Sequence, residues 1–258
     1  MTKRFRDKVA VVTGGGTGIG KAVAGLLLEE GARVVINGRR AEVLEATAAE
    51  LDPTGERIAA AAGDIAETET GRALERVASE RFGGTDVLVN AAGVFAPKPF
   101  VDHTEADFSR YIDIILKGTF FASQAFVASM QARGGGAIVN VGSMWASQAV
   151  GATPSSAYSA AKAGVHALTK NLAIELADAK IRVNTVAPAV VDTPVYGTFL
   201  PPEQVAETVA SFAPFHPLGR VGTASDVANL ITFLASSEAS WMTGAVVAVD
   251  GGVMAGRG

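Results

Sequence analysis

The stretch Val9-Ala10-Val11-Val12-Thr13-Gly14-Gly15-Gly16-Thr17-Gly18-Ile19-Gly20 joins an apolar run to a glycine-rich turn, and a helix-forming segment at 19–30 follows. A strand, a glycine turn and a helix in this order form an anion site, because unpaired amide N–H groups and the helix dipole point to one place. The spacing Gly-x-x-x-Gly-x-Gly differs from that of the phosphate loop, so kinase or ATPase chemistry is disfavoured. The same glycines also fit a tight turn that serves packing alone.

Outward from this turn, short β-branched runs alternate with longer Ala/Leu-rich segments. Seven runs are predicted to be buried strands: 9–12, 34–36, 58–62, 87–89, 138–141, 181–186 and 246–249. The segments between them have apolar residues near a 3.6-residue period and are predicted to be helices: 19–30, 41–51, 67–82, 105–131, 158–176 and 226–234. The alternation predicts a doubly wound α/β fold with a parallel sheet and right-handed crossovers.

The composition predicts one domain, 1–258. The chain has 258 residues, of which 48% are hydrophobic and 19% charged, enough to bury a substantial core, and no linker-like tract divides it. Residues 195–218 break the alternation with several prolines and phenylalanines around a short helical stretch at 202–211. We interpret residues from about 194 to 218 as an insertion near the carboxyl end of a strand, where open α/β sheets bind ligands.

Several classes of function are disfavoured by composition. The net charge of −4 leaves no broad basic surface, so neither nucleic acid nor membrane is an expected partner. The chain has no cysteine, and His103, His166 and His216 lack the spacing of paired ligands, so no metal site is predicted. No apolar run approaches the about 20 residues of a membrane span, and none forms a signal-peptide core. These features together predict a cytoplasmic protein.

Tyr158 and Lys162 lie four residues apart in a predicted helix and therefore on one of its faces. A phenol with a pKa near 10 is a poor proton-transfer group at neutral pH. An ammonium group about 4 Å away, at an effective dielectric near 20, would stabilise the phenolate by about 4 kcal/mol and lower that pKa by about three units. The pattern alone also fits a surface helix with an ordinary tyrosine and lysine.

The segment Ile36-Asn37-Gly38-Arg39-Arg40 follows the second predicted strand, where dinucleotide-binding folds choose their cofactor. A carboxylate at this place accepts a hydrogen bond from the adenosine ribose, whereas an arginine pairs with a 2′-phosphate. The segment contains no acid and two guanidinium groups, so we predict that NADP(H) is preferred and NAD(H) is possible. Arg39 and Arg40 would also be suited to solvating the start of the next helix.

Four motifs occur in order at the ends of predicted strands: Thr13-Gly14-x-x-x-Gly18-x-Gly20, Asn90-Ala91-Ala92-Gly93, Ser143, and Tyr158-x-x-x-Lys162. With them, nearly the whole chain resembles the short-chain dehydrogenase/reductase family, in particular its 3-oxoacyl carrier-protein reductases. The resemblance implies a single Rossmann-type domain with a seven-stranded parallel sheet and helices on both faces. It also implies a homotetramer whose subunits move a hydride between a nicotinamide cofactor and a small-molecule carbonyl or secondary alcohol.

The resemblance further implies a role for individual residues. Ser143 would hold the substrate oxygen, Tyr158 would transfer the proton, and Lys162 would bind the nicotinamide ribose while lowering the pKa of Tyr158. Asp64 would contact the adenine, and Asn90 would support the turn near the adenosine ribose. The implied cofactor contacts are Gly14, Thr17, Gly18, Ile19, Gly20, Arg39, Asp64, Ile65, Asn90, Gly93, Tyr158, Lys162, Pro188, Val191 and Thr193.

Three features depart from the family pattern. Ile115 stands where the family has an asparagine that helps hold a water between the catalytic lysine and solvent, and Ala189 replaces a glycine after Pro188. The separation of Ser143 and Tyr158 is also longer than in the family, so Met144 and Trp145 are expected either to face the substrate or to pack within the loop. Because Ile115 removes the relay amide, an alternative is a non-catalytic dinucleotide-binding or regulatory protein on the same fold.

The substrate is not determined by these patterns. Aromatic residues of the insertion are expected to form either an apolar pocket wall or a lid that packs on itself: Tyr196, Phe199, Phe212 and Phe215. Fatty-acyl thioesters, steroids, sugars and small ketones all remain open.

Overall fold

The computed structural model describes residues 3–256 and contains a seven-stranded parallel sheet in the order β3-β2-β1-β4-β5-β6-β9. Two short strands form a separate parallel pair, β7 with β8. The strands are β1 (Val9–Thr13), β2 (Arg33–Gly38), β3 (Ile58–Ala62), β4 (Val87–Asn90), β5 (Gly136–Val141), β6 (Ile181–Pro188), β7 (Val191–Asp192), β8 (Gly222–Thr223) and β9 (Val246–Val249). Each predicted strand lies within one strand of the large sheet, so the predicted fold is confirmed.

Eight α-helices connect the strands of the described chain. They are α1 (Gly18–Glu29), α2 (Ala41–Leu51), α3 (Thr68–Phe82), α4 (Glu105–Tyr111), α5 (Gly118–Ala132), α6 (Ser156–Glu175), α7 (Pro202–Ser211) and α8 (Ala224–Ala235). The helix predicted at 202–211 coincides with α7. A π-helical turn, Ile112–Lys117, joins α4 to α5, and there the N–H of Gly118 donates to the carbonyl of Asp113, five residues back.

Helices cover both faces of the sheet. Alternate residues of β1 point to opposite sides: Ala10 and Val12 pack in one core with α1 and α8, whereas Val9 and Val11 pack in the other with α3 and α5. A strand that is buried on both faces has no polar positions, which explains why β1 reads as a continuous apolar run. The chain is therefore a doubly wound α/β domain.

Helices α4 and α5 with the π-turn form one continuous helix, Glu105–Ala132, of 28 residues. By length and composition alone this helix could cross a membrane. Among its apolar residues, Ala122, Phe126 and Met130 are buried against the sheet, whereas Phe108 and Phe120 are exposed. The helix packs on the domain along one face.

The strand order reverses beside β1, because β2 lies on one side of it and β4 on the other. The connections leaving β1 and β4 therefore diverge to opposite faces and open a crevice at the carboxyl ends of the strands. This crevice positions the site described next.

Candidate active site

A cavity of about 390 Å³ occupies the crevice at the carboxyl ends of the strands. It extends from the glycine turn after β1 to the amino-terminal half of α6. The predicted site residues that line it are Gly14, Thr17, Gly18, Ile19, Gly20, Arg39, Asp64, Ile65, Gly93, Ser143, Tyr158, Lys162, Pro188, Val191 and Thr193. Residues far apart in the sequence meet here because the carboxyl ends of parallel strands lie at the same edge of the sheet.

The glycine turn forms one end of this cavity. Gly14 and Gly18 have positive φ angles of 68° and 54°, and a Cβ atom on Gly20 would lie 2.3 Å from the carbonyl oxygen of Gly14. Larger residues are therefore excluded at these positions. Helix α1 begins at Gly18, and the side chain of its N-cap residue, Thr17, makes no capping hydrogen bond. The first turn of α1 thus presents amide N–H groups and the positive end of a helix dipole to the cavity, which suits a pyrophosphate.

Asn90 differs from the other predicted residues, because it lies behind the cavity and does not line it. Its buried amide donates to Ser123 Oγ at 3.1 Å and to Asn140 Oδ1 at 2.9 Å, which ties β4 to α5 and β5. Next to it, the Thr13 hydroxyl accepts the N–H groups of Ala91 and Ala92, both at 3.2 Å. The Asn90 amide therefore holds β4 against α5 and β5 behind the cavity.

Arg39 and Arg40 lie exposed on the rim of the cavity, directly after β2. Within residues 3–256, neither side chain makes an ion pair or a hydrogen bond to a side chain. The backbone beneath them is held by Asn37, whose buried amide donates to the carbonyls of Ala61 and Gly63 at 3.0 and 3.1 Å. Two unpaired guanidinium groups on a fixed turn are available for an anionic ligand.

Ser143 begins a single 3₁₀ turn directly after β5, at the other end of the cavity. Its backbone is extended, and its Oγ accepts the backbone N–H of Trp145 at 3.2 Å. Because this contact uses a lone pair of the oxygen, the hydroxyl proton remains able to donate to a ligand. The Lys162 ammonium group is buried nearby and donates to the Val141 carbonyl at 2.5 Å.

The pKa values of the Tyr158 and Lys162 pair differ from the sequence expectation. Burial raises the pKa of Tyr158 to about 12, although a hydrogen bond from Ser143 acts in the opposite direction. Burial also lowers the pKa of Lys162 to about 8. The lysine Nζ lies 5.8 Å from the centre of the Tyr158 ring and bonds to Val141, so it does not offset the desolvation of the phenol. The predicted lowering of the Tyr158 pKa is therefore wrong for this structure.

Comparison with known proteins identifies the family. The family model described as enoyl-(acyl carrier protein) reductase matches residues 14–254. A cis-4-hydroxycyclohexanecarboxylate dehydrogenase from Sinomonas cyclohexanicum is 43% identical over 99% of this chain and 100% of that protein. The chain belongs to the short-chain dehydrogenase/reductase family. The resemblance predicted from the motifs is thereby confirmed, and dehydrogenases of this family generally use NAD(P) cofactors.

Two further relatives extend this result. A cyclohexanol dehydrogenase from Acinetobacter sp. (strain SE19) is 36% identical over 97% of this chain and 96% of that protein. The crystal structure of a short-chain dehydrogenase/reductase from Brucella melitensis, titled glucose/ribitol dehydrogenase, superposes with a TM-score of 0.88. It is 34% identical and covers 98% of this chain and 99% of its own. The likeness therefore extends over the full length of the domain.

The sequence patterns did not indicate Phe95, an aromatic residue that lines the cavity. Its ring centre lies 4.9 Å from that of Tyr158, 5.7 Å from that of Phe199 and 6.3 Å from that of Trp145. Phe95 follows β4 in a segment without helix or strand, so no periodic pattern marks it. Its closeness to the Asn90-Ala91-Ala92-Gly93 motif is the one signal that could have placed it at the site.

The structure shows where the residues that depart from the family pattern lie. Ile115 is buried in an apolar cluster with Ala157, Ala161 and Val165. Trp145 lines the cavity, whereas Met144 is fully buried in the neighbouring apolar core. The two residues that were expected to share one role therefore have different ones.

Proposed function

We propose that this protein is an NADP(H)-dependent oxidoreductase that moves a hydride between nicotinamide and the carbon of a secondary alcohol or ketone, with Tyr158 as proton donor and acceptor. The observation that supports it is the convergence of Ser143, Tyr158 and Lys162 in one cavity whose far end is the glycine turn. A protein that only bound a dinucleotide would not need a second and third proton-bearing group there. The composition leads us to propose a cytoplasmic location as well.

The residues present fit the cofactor. The amide groups at the start of α1 would hold the pyrophosphate, and Arg39 would pair with a 2′-phosphate. Asp64 would contact the adenine, while Val191 and Thr193 would bind the carboxamide from the segment after β6. That segment lies directly over the turn, since a Cβ atom on Gly18 would be 3.3 Å from the Thr193 Cβ. When bound, the nicotinamide supplies or accepts the hydride.

The remaining chemistry belongs to three side chains. Reduction of a ketone builds negative charge on its oxygen, so the Ser143 hydroxyl and the Tyr158 phenol stabilise the transition state by donating to that oxygen. With a pKa of about 12, Tyr158 is protonated at neutral pH and ready to give its proton. Lys162, with a pKa of about 8, remains largely a cation at that pH and would bind the nicotinamide ribose. In alcohol oxidation the proton moves in the opposite direction.

The substrate that we propose is an alicyclic secondary alcohol or its ketone. Two relatives are named for cyclohexane alcohols. In this chain the substrate side of the cavity is walled by aromatic and aliphatic residues, namely Phe95, Trp145, Val195 and Tyr196. We further propose that residues 194–218, which contain α7, form a substrate lid, because Phe199 contacts both Phe95 and Tyr196.

We also propose that the protein is a homotetramer. Helix α6 exposes a row of small apolar residues that ends in a large one: Ala160, Ala163, Ala167 and Ile174. On α5, Phe120 is 42% exposed. Small side chains let two helices approach closely, and a subunit contact would remove the large ones from water.

A substrate panel under both cofactors tests the proposal. Cyclohexanol, cis-4-hydroxycyclohexanecarboxylate and their ketones would be assayed with NADP(H) and with NAD(H), following nicotinamide absorbance. We expect turnover of at least one alicyclic pair, with the higher kcat/KM for the phosphorylated cofactor. Tight NADPH binding without turnover of any ketone or alcohol would favour the non-catalytic alternative.

A further inference from the structure

Residues 93–99 contain neither helix nor strand, and the first three of them line the cavity. Gly93, Val94 and Phe95 line the cavity, and the Phe95 ring contacts Tyr158 edge-on. An irregular segment has no ladder of backbone hydrogen bonds to hold it, so its position depends on contacts with neighbouring elements. Those contacts decide where the Phe95 ring lies.

Three contacts hold this segment, and two of them are with one face of α4. The third is with the loop before α6, where the Pro154 carbonyl accepts the Lys98 N–H at 2.9 Å. The Tyr111 hydroxyl donates to the Ala96 carbonyl at 2.7 Å and accepts the Ala96 N–H at 3.1 Å. Lys98 pairs with Asp107 at 2.6 Å. Asp107 and Tyr111 lie four residues apart, about 6 Å along a helix axis, and an extended chain covers nearly the same distance in two residues. The helix face and the segment therefore match in spacing.

The Tyr111 ring reaches the proton-transfer residue directly. Tyr111 is 7% exposed, and its ring centre lies 6.1 Å from that of Tyr158 in an edge-on contact. The Tyr158 ring thus contacts Tyr111 as well as Phe95, and the Tyr111 hydroxyl fixes the backbone next to Phe95. Burial raises the pKa of Tyr111, so its hydroxyl stays protonated and continues to donate to Ala96.

We propose that Tyr111 is a positioning residue that holds Phe95 against Tyr158, and that Phe95 thereby sets which substrates fit between Tyr158 and Trp145. The inference rests on the proposed function, because it describes the substrate space of the same site. Tyr111 acts through Ala96 and Phe95 and is not itself required to touch the substrate. The substrate-facing group is the Phe95 ring.

The variant Tyr111→Phe tests the first part, because it keeps the ring and removes only the hydroxyl. We expect KM for cyclohexanone to rise about tenfold, the effect of one or two lost hydrogen bonds, while kcat changes less. The NADPH dissociation constant should not change. Amide hydrogen exchange at Ala96 should become faster, and unchanged exchange at Ala96 would overturn the positioning role whatever the kinetics show.

A double-mutant cycle tests whether Tyr111 acts through Phe95. Phe95→Leu should raise KM for cyclohexanone by itself and improve the relative kcat/KM for a bulkier steroid ketone. Adding Tyr111→Phe to Phe95→Leu should then have little further effect, because coupled residues are not additive. Multiplication of the two single effects would show that Tyr111 acts by another route and would overturn the proposal.

Thr104→Ala is the matched control. It removes the N-cap of α4 together with the Thr104 hydroxyl contact to Asp107, and it leaves the Tyr111 contact with Ala96 and the Lys98–Asp107 ion pair in place. For Thr104→Ala we expect a lower Tm and an unchanged KM for cyclohexanone. If its KM rises as much as that of Tyr111→Phe, a general loosening of α4 explains the effect of both variants and the positioning role is overturned. If the wild-type protein turns over no alicyclic ketone, the proposed function fails, and Ala96 exchange still decides whether Tyr111 holds the segment.

Discussion

The pKa of the Tyr158 hydroxyl is raised by some of its surroundings and lowered by others. Burial among aromatic rings favours the neutral phenol, a hydrogen bond with Ser143 favours the phenolate, and Lys162 is directed toward Val141. In this arrangement desolvation prevails, so Tyr158 is protonated at neutral pH. This supports a role of Tyr158 as proton donor in carbonyl reduction.

Replacing Tyr158 with Phe removes the transferable proton and keeps the ring. We expect ketone turnover to fall below a few per cent of wild type, since general acid catalysis contributes about 10²–10⁴-fold. NADPH affinity, measured by fluorescence titration, should change little. Substantial residual turnover would assign proton transfer to another group.

Ile115→Asn restores the side chain of the family at a position that is now apolar. Ile115 is 1% exposed, with Ala161 and Val165 in the same apolar cluster. A buried amide without a partner costs about 1–3 kcal/mol, so the free energy of unfolding should fall by about that amount. Urea unfolding measures it, with Ile115→Leu as the volume-matched control. Equal stability of Ile115→Asn and wild type would show that water reaches this position and that the relay can be rebuilt.

The turn between β2 and α2 is a local element at the rim of the cavity. Its backbone is fixed by Asn37, and its two arginines project unpaired at the cavity rim. A change here should therefore act on cofactor choice and leave the fold intact.

Arg39→Ala should raise the KM for NADPH much more than the KM for NADH. The loss of a charge-assisted contact to a 2′-phosphate is worth about 1.5–3 kcal/mol, or about ten- to a hundredfold. Steady-state kinetics with both cofactors at one ketone concentration measures the ratio. Equal effects on NADPH and NADH would contradict the proposed preference.

Asp86 joins three elements at the opposite edge of the sheet. Its carboxylate accepts from the N–H of Val9 and pairs with Arg133 and Lys8. Burial would raise the pKa of Asp86, but these partners outweigh it and hold the pKa below the usual value. The contribution to stability is therefore present above the unfolded pKa and is lost as pH falls through the folded one.

Asp86→Asn should lower the free energy of unfolding at pH 7 by roughly 1.5–3 kcal/mol, the value of hydrogen bonds to a charged group. The difference from wild type should shrink as pH falls below about 4, where the unfolded carboxylate takes up a proton. Urea unfolding at several pH values measures this. The exposed Asp178→Asn is the control and should behave as wild type, and a difference that is independent of pH would remove the charge from the explanation.

The whole molecule combines a buried sheet with helices that are covered on one side only. Helix α5 buries Phe126 in the core but leaves Phe120 exposed, and the first half of α6 exposes small residues at Ala160, Ala163 and Ala167. These faces are where subunits of a tetramer would meet.

Ala167→Glu on the exposed face of α6 should dissociate the tetramer, because burying an unpaired carboxylate is strongly unfavourable. Light scattering coupled to size exclusion would show a smaller mass. Ala49→Glu, at an exposed position of α2, is the matched control and should leave the mass unchanged. A wild-type mass of one subunit would contradict the proposed assembly.

Local patterns were sufficient to predict the strands, the glycine turn and the order of the motifs, because each depends on neighbours within a few residues. Buried strands need β-branched runs, and the turn needs glycine where φ is positive. The parallel arrangement followed from strand and helix alternation, which permits few topologies.

Long-range packing decided the rest. The raised pKa of Tyr158, the position of Phe95 and the apolar surroundings of Ile115 depend on residues brought together from β4, α4, the π-turn and α6. The segment at 93–99 has no periodicity, since its conformation comes from contacts with α4 and with the loop before α6. Burial is a property of the assembled chain, so a motif can name a proton donor while only the packing around it sets its pKa.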